Sequence, residues 1–298
     1  MKKRQKAFDS SLIPHPSSLR SSPRPKKSLG QNFLVDERVI DRIIRAVDPR
    51  DDEVVVEIGA GQGALTSRLI ERAGRVVAIE FDHHLAQLLG ERFKSIESFT
   101  LVEGDALRID LCAAAAAHAA SKARVVANLP YYISTAILQR LIEQRQCLSE
   151  MTLMLQREVV ERITAPPGAS ERGFLSVLVE AYCEAEALFD VAPAAFRPMP
   201  KVWSTVVRLR TRRHVAADVE DEALLWRVVS AGFAQRRKTI FNNLRAAHDD
   251  LRSLIETRGG AARLLEAARV EPRRRAETLT LEEWTKLSRA LEGVENDE

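Results

Sequence analysis

The chain has 298 residues, 45% hydrophobic and 29% charged, with a formal net charge of +3. That length allows one large domain or two smaller ones with a sizeable core, and no apolar run approaches a membrane span. The three cysteines, Cys112, Cys147 and Cys183, form no CxxC pair, which disfavours a disulfide framework or a zinc site and suits a reducing cytoplasm.

Residues 1–27 carry eight Lys/Arg and one Asp, a net of +7, so the total of +3 leaves −4 for residues 28–298. This leader is rich in Ser, Pro, Lys and Arg, has no helical or strand period, and reads as a disordered basic extension. It lacks the apolar stretch of a secretory signal, and Pro14, Pro16, Pro23 and Pro25 oppose an amphipathic transit helix. A dispensable extension or a weak RNA-binding arm both fit it. Any acidic partner is then met by local basic patches rather than by a uniformly basic body.

Order is expected from Ser28. Asp36 can cap a helix bearing Val39, Ile40, Ile43, Ile44 and Val47, ended by Asp48-Pro49. The apolar strand Glu53-Val-Val-Val-Glu-Ile58 runs into Gly59-Ala-Gly-Gln-Gly63. A helix with Leu65, Leu69 and Ile70 inward follows, with Gly74 as its C-terminal cap. Arg75-Val-Val-Ala-Ile79 is a second strand ending in Glu80, and Asp82 starts a helix through Leu85, Leu88 and Leu89. The adjacent His83 and His84 do not share a helix face, and no metal site is expected.

Phe99-Thr-Leu-Val102 is a third strand, and the alanine-rich 113–120 reads as a surface helix. Residues 125–127 form a fourth strand, Ser134 caps a helix through Ile137, Leu138, Leu141 and Ile142, and Met151-Thr-Leu-Met-Leu155 is a fifth strand. Two further strands are expected at about 176–191 and 202–210, as a hairpin. From about 215 onward the period is helical. The alternation predicts an α/β, Rossmann-like parallel sheet with helices on both faces over 28–210, and a small all-helical domain over 211–298.

Three features fall at the carboxyl ends of successive strands, where open α/β sheets bind ligands. The turn Glu57-Ile-Gly-Ala-Gly-Gln-Gly63 can let a nucleotide-like ligand approach the backbone at Gly59 and Gly61, or be only a tight turn. Its G-x-G-x-G spacing is not the G-x-G-x-x-G of dinucleotide sites. Glu80 can accept from both ribose hydroxyls, or simply precede a helix. Asp105, beside Ala106, can accept from an adenine amino group, or serve a turn at Gly104. Together they fit S-adenosylmethionine better than a dinucleotide.

The fourth strand breaks into Asn128-Leu-Pro-Tyr131. Taken alone this is a turn signal. Beside the pocket it has a chemical use, because the exocyclic amine of adenine is a weak nucleophile whose lone pair is spread into the ring. The Asn128 side-chain oxygen and the Leu129 carbonyl can accept its two N–H bonds and localise that pair. Pro130 stiffens the turn and Tyr131 offers a stacking ring. Positioning then supplies most of the catalysis, on a base lifted out of its stack.

With these motifs the chain resembles the small-subunit ribosomal RNA adenine dimethyltransferases of the KsgA/RsmA type. The resemblance covers about residues 26–292. It includes Lys27-Ser-Leu-Gly-Gln-Asn-Phe-Leu-Val-Asp36, Leu155-Gln-Arg-Glu-Val-Val-Glu-Arg162 and Phe196-Arg-Pro-Met-Pro-Lys-Val-Trp-Ser204. Towards the end it includes Gln235-Arg-Arg-Lys-Thr239, Asn242-Asn-Leu244 and Arg275-Ala-Glu-Thr-Leu279. It implies cofactor contacts at Asn32, Leu34, Gly59, Glu80, Asp105 and Asn128, with Gln31 and Gly61 as neighbours. It implies that Phe196 and Tyr131 sandwich the target base; the blander reading of Phe196 is a core aromatic next to a Pro-rich turn.

The resemblance also implies dimethylation of two adjacent adenines near the 3′ end of small-subunit rRNA, in an assembling subunit. A monomer is expected. The basic cluster Arg236, Arg237, Lys238 and Arg245 would form one stripe at helical spacing, either a solvated face or a phosphate-binding one. One stretch departs: Arg172-Gly-Phe-Leu-Ser176 stands where the family has Tyr-Gly-Arg-Leu-Ser. Two rivals remain, a large-subunit rRNA methylase of the macrolide-resistance type and a non-catalytic assembly factor on the same fold.

Overall fold

The computed structural model describes residues 25–26, 29–117, 122–217 and 219–293. The basic extension up to residue 24 lies outside them. Strands β1 (Phe33–Leu34), β2 (Val54–Ile58), β3 (Arg75–Glu80), β4 (Phe99–Glu103), β5 (Ala123–Asn128) and β6 (Leu148–Gln156) come first. Helices α1 (Glu37–Val47), α2 (Ala64–Ile70), α3 (His83–Phe93), α4 (Leu111–Ala116) and α5 (Ser134–Glu143) separate them. Then follow α6 (Arg157–Ile163), α7 (Phe174–Tyr182), β7 (Cys183–Val191), β8 (Phe196–Arg197) and β9 (Ser204–Thr211). The chain closes with α8 (Glu222–Gly232), α9 (Ile240–Arg245), α10 (Asp249–Thr257), α11 (Gly260–Ala267) and α12 (Leu281–Glu292).

The main sheet has the order β4-β3-β2-β5-β6-β9-β7, and β1 pairs with β8 in a separate ribbon. Strands β4 to β6 in that order are parallel neighbours, and β9 runs antiparallel to β6 with Gln156 opposite Ser204. A parallel sheet buried on both faces needs continuous apolar strands rather than alternating ones. β2 meets that need: all five of its residues are buried, Glu57 included. Asp36 caps α1 by accepting from the Arg38 and Val39 amides, and α1 buries Ile40, Ile43, Ile44 and Val47 against α2 and the sheet. No helix among the described residues is long and apolar enough to cross a membrane.

Contacts divide the chain into two compact units. One runs up to Val159 and includes Glu186–Thr211; the other joins Val160–Ala185 to the residues from Arg212 onward. The boundary expected at 210 falls between Thr211 and Arg212, but residues 160–185, expected in the first domain, belong with the helical unit. The cause is packing: the Tyr182 hydroxyl donates to Glu222 at 2.5 Å and accepts from Trp226 Nε1 at 2.8 Å. Lys26, which the sequence places within the extension, is among the described residues and is held by Asp82.

Four local readings change. The first part of the strand expected at about 176–191 belongs instead to helix α7, and only Cys183–Val191 is strand; the apolar stretch has no alternation to separate the two states. Ser134 does not cap α5 by accepting an amide; its hydroxyl donates to the Tyr131 carbonyl at 3.1 Å. Gly74 lies four residues beyond the end of α2, and a Cβ there would stand 2.5 Å from the Asp51 carbonyl oxygen, so close approach requires glycine. Cys112 and Cys147 are paired in a disulfide, with Cα atoms 5.4 Å apart. Gln144 draws the two segments together, its side chain accepting from the Leu111 amide and donating to the Ile109 carbonyl. Cys183 is buried and stands outside this disulfide.

The departing stretch is architectural. Arg172 is 3% exposed and donates to Glu180 and to the Ala165 carbonyl. Ser176 Oγ accepts from the Gly173 amide and donates to the Arg162 carbonyl, closing the start of α7. In the same unit a Cβ on Gly232 would lie 2.3 Å from Trp284 Cη2, a fully buried ring. Gly232→Ala is therefore expected to overpack this core and cost about 1–3 kcal/mol, read as a lowered melting temperature of the purified protein.

Candidate active site

The sheet order reverses between β2 and β5, and the crevice outside the carboxyl ends of such strands is where open α/β folds place ligands. A pocket of about 300 Å³ lies there. Its walls include Gly30–Phe33, Gly59, Gly61, Glu80, Asp105–Leu107 and Asn128–Ile133. Of the expected cofactor residues, Gln31, Asn32, Gly59, Gly61, Glu80, Asp105, Ala106 and Asn128 all line it. Leu34 does not; it is 6% exposed and sits in the core beside Phe196, its partner across the β1–β8 ribbon.

Gly61 is the hinge of the site. Its φ is +58°, its amide donates to Glu80 Oε2 at 2.8 Å, and a Cβ would press on the Phe33 ring at 3.3 Å. Glu80 Oε1 accepts from the Asp82 amide at 2.8 Å. Two amides thus fix both oxygens of a carboxylate that is 5% exposed, with lone pairs left for ribose hydroxyls. Burial raises the Glu80 pKa and the Asp82 charge adds to this, while the Asp82 and Gly61 amides pull it back. After the neighbouring strand β4, Asp105 Oδ1 accepts from the Leu107 amide at 3.0 Å, and its side chain is 34% exposed. Two carboxylates at the ends of neighbouring strands, lining a cavity of this size, fit an adenosine-containing ligand.

Glu57, behind the glycine turn, is wholly buried and accepts from Thr66 Oγ1 at 2.6 Å. Burial pushes its pKa up to about 8, the Thr66 bond opposing and the Glu80 charge adding to it. The folded protein therefore holds a proton that the unfolded chain releases above its ordinary value. Stability from this group is complete at low pH and is lost as pH rises from about 4.5 through about 8. Glu57→Gln is expected to remove that decline, seen as a flatter melting temperature from pH 5 to 8.5.

Asp82, read from sequence only as a helix start, also clasps the segment over the pocket. It accepts from Lys26 Nζ at 2.9 Å and Gln31 Nε2 at 3.1 Å, while also capping α3 through the His84 amide. Burial raises its pKa, but these partners outweigh that and hold it below the usual carboxylate range. Nothing in the spacing of residues 26–31 pointed to this clasp. The exposed rings Phe81 and Tyr132, which also line the pocket, were likewise unmarked in the sequence.

Asn128 ends β5 at the pocket. Its Nδ2 donates to the Asn32 carbonyl at 3.2 Å, which turns Oδ1 away from that carbonyl. Among the described residues no donor takes Oδ1 or the Leu129 carbonyl. The following two carbonyls are occupied, Pro130 by the Ile133 amide and Tyr131 by Ser134 Oγ. Tyr131 is held by a 2.8 Å hydrogen bond between its hydroxyl and Ser204 Oγ, and burial raises its pKa. Phe196 is not brought to the pocket: it is fully buried in the core cluster.

The basic cluster is also placed differently from expectation. Arg236, Arg237 and Lys238 lie in the turn between α8 and α9, not along a helix, and all three are exposed. Asn243, 3% exposed, shapes that turn by donating to the Gly232 and Gln235 carbonyls. Arg245 is in the last turn of α9, its guanidinium 5.5 Å from the centre of the Phe241 ring.

Residues 23–287 match the family described as Ribosomal RNA adenine dimethylase. The chain is 42% identical over 268 residues to "Ribosomal RNA small subunit methyltransferase A" of Geobacillus kaustophilus (strain HTA426), covering 89% of this chain and 90% of that one. In structure it resembles a dimethyladenosine transferase from Plasmodium falciparum, with TM-score 0.71 and 24% identity over 86% of this chain and 95% of that chain. It also resembles the 23S rRNA methyltransferase ErmE, with TM-score 0.65 and 26% identity over 88% of this chain and all of that one. The glycine turn, the paired carboxylates and the Asn-Leu-Pro-Tyr strand end thus sit in a chain that belongs to the ribosomal RNA adenine dimethylase family.

Proposed function

We propose that this chain transfers methyl groups from S-adenosylmethionine to N6 of two adjacent adenines near the 3′ end of 16S rRNA, two per base, during assembly of the small ribosomal subunit. The observation that carries the reading is the pair of open acceptors, Asn128 Oδ1 and the Leu129 carbonyl, at the mouth of an adenosine-sized pocket. The 42% identity to a small-subunit rRNA methyltransferase over 90% of that protein favours the small-subunit substrate.

S-adenosylmethionine, when bound, supplies a methyl group activated by the positive charge on its sulfur. Gly59, Gly61, Glu80, Asp105, Ala106, Gln31 and Asn32 would hold it. Asn128 Oδ1 and the Leu129 carbonyl accept the two N6–H bonds of the target base and draw its lone pair out of the ring. Tyr131, fixed by Ser204, offers its ring to the base. After the first transfer one N–H remains, and a single acceptor suffices to orient the second. The N6 proton released with each methyl group passes to solvent.

The helical unit, with Arg236, Arg237, Lys238 and Arg245 exposed, is assigned to phosphate contacts. The enzyme works as a monomer in the cytoplasm, on RNA within the assembling subunit. The test is incubation with labelled S-adenosylmethionine and undermethylated small subunits, then digestion of the RNA to nucleosides. Labelled dimethyladenosine from 16S rRNA is expected. Label only in large-subunit RNA would move the chain to the other branch. Subunit binding without label would leave it an assembly factor.

A further inference from the structure

The protein has three tryptophans. Trp284 is fully buried and Trp226 is half-buried against Tyr182. Trp203 is different: it is 46% exposed. It immediately precedes β9, and because β9 runs antiparallel to β6, the start of β9 lies at the carboxyl edge of the parallel strands, beside Gln156. The next residue, Ser204, holds the Tyr131 hydroxyl. One peptide bond therefore links this exposed indole to the group that anchors the stacking tyrosine of the pocket.

The indole is braced. The Arg157 guanidinium lies over the ring with its central carbon 4.8 Å from the centroid, and the Arg157 amide donates to the Trp203 carbonyl at 3.0 Å. Arg157 is in turn fixed by Asp190 at 2.7 Å, and Asp190 also accepts from Thr205. In the segment leading to Trp203, Arg197 and Lys201 are exposed and basic, and Met199 and Val202 are 64% and 42% exposed. Leaving a rigid aromatic and two aliphatic side chains in water is unfavourable unless something covers them. A flat ring backed by a guanidinium among cations suits one occupant, an unpaired base with its phosphates, better than an apolar protein face.

We propose that Trp203, backed by Arg157, is a stacking platform for a nucleotide flanking the target adenine, with Lys201 and Arg197 beside its phosphates. This rests on the RNA-methylating reading above. Sequence-tolerant stacking of a neighbour would keep the extruded adenine in register with Asn128 without reading its identity. Trp203 is thus a positioning residue, acting on substrate placement and not on the cofactor.

Two measurements test it. In methylation of undermethylated small subunits, Trp203→Ala is expected to raise KM by about tenfold, with S-adenosylmethionine affinity and melting temperature unchanged, and Trp203→Phe to restore most of the loss. A KM and kcat for Trp203→Ala within about twofold of the parent would overturn the platform while leaving the proposed function intact. Independently, a short unstructured oligoadenylate should quench the tryptophan emission of the unaltered protein and not that of Trp203→Phe. If no RNA is methylated but this quenching persists, the function fails and the platform stands. If the oligoadenylate leaves Trp203 emission unchanged, the platform is wrong whatever the activity.

Discussion

Asn128→Ala is expected to lower methyl transfer at saturating cofactor by about 10²–10³-fold, the cost of removing one preorganised group aimed at developing charge. The basis is geometric. Asn128 Nδ2 is committed to the Asn32 carbonyl, so its Oδ1 is oriented before any substrate arrives. Alanine removes that acceptor and leaves the Leu129 carbonyl alone to draw out the amine lone pair. Asn128→Asp separates acceptor from orientation: it keeps an oxygen for the base but places a second oxygen against the Asn32 carbonyl. It should retain more activity than alanine and less than asparagine. Single-turnover methylation gives the chemical step, and equilibrium dialysis gives cofactor affinity. An alanine variant that methylates at the parent rate would remove Asn128 from the mechanism.

The parts of this protein that were legible in sequence are those where one residue type has one physical use. The strands β2, β3 and β5 each carry a buried apolar run of three or more residues, as a sheet covered on both faces requires, and β2 to β6 each lie within a few residues of where the sequence puts them. Asp36 and Asp82 cap helices because a carboxylate just before an apolar helical period can accept the first free amides. The glycine turn, Glu80 and Asp105 fell at the carboxyl edge because the strand ends did.

What was not legible depends on contacts between distant segments. Nothing near Lys26 or Gln31 foretells that both reach Asp82. The 35-residue separation of Cys112 and Cys147 carries no trace of the Gln144 bonds that bring their segments together. Helix α7 was misread because an apolar stretch buried on most sides has no period to tell helix from strand. The Arg236–Lys238 run was given a helical stripe, whereas Asn243 bends it into a turn from seven residues or fewer downstream. Phe196, with two uses open to it in the sequence, is held by the core.

Glu80→Ala should weaken S-adenosylmethionine binding by at least about 100-fold, since hydrogen bonds to a charged group contribute about 1.5–3 kcal/mol each and two are lost. It also strands the Gly61 and Asp82 amides, which now share the carboxylate, so the glycine turn loses its own anchor. Glutamine is a poor substitute here for the same reason. Each carboxylate oxygen already faces an N–H, and an amide would set its NH2 against one of them. Glu80→Gln should therefore bind cofactor nearly as weakly as alanine. The pH dependence follows from the raised pKa of Glu80: cofactor affinity in the parent should fall on acidification at a higher pH than for an exposed carboxylate, because the protonated group is a weaker acceptor. Isothermal titration across pH 5 to 8 reads both effects, and binding to small subunits, which uses other surfaces, should survive in both variants. Retained cofactor affinity in Glu80→Ala would mean that the ribose is held elsewhere and that Glu80 serves only to brace the turn.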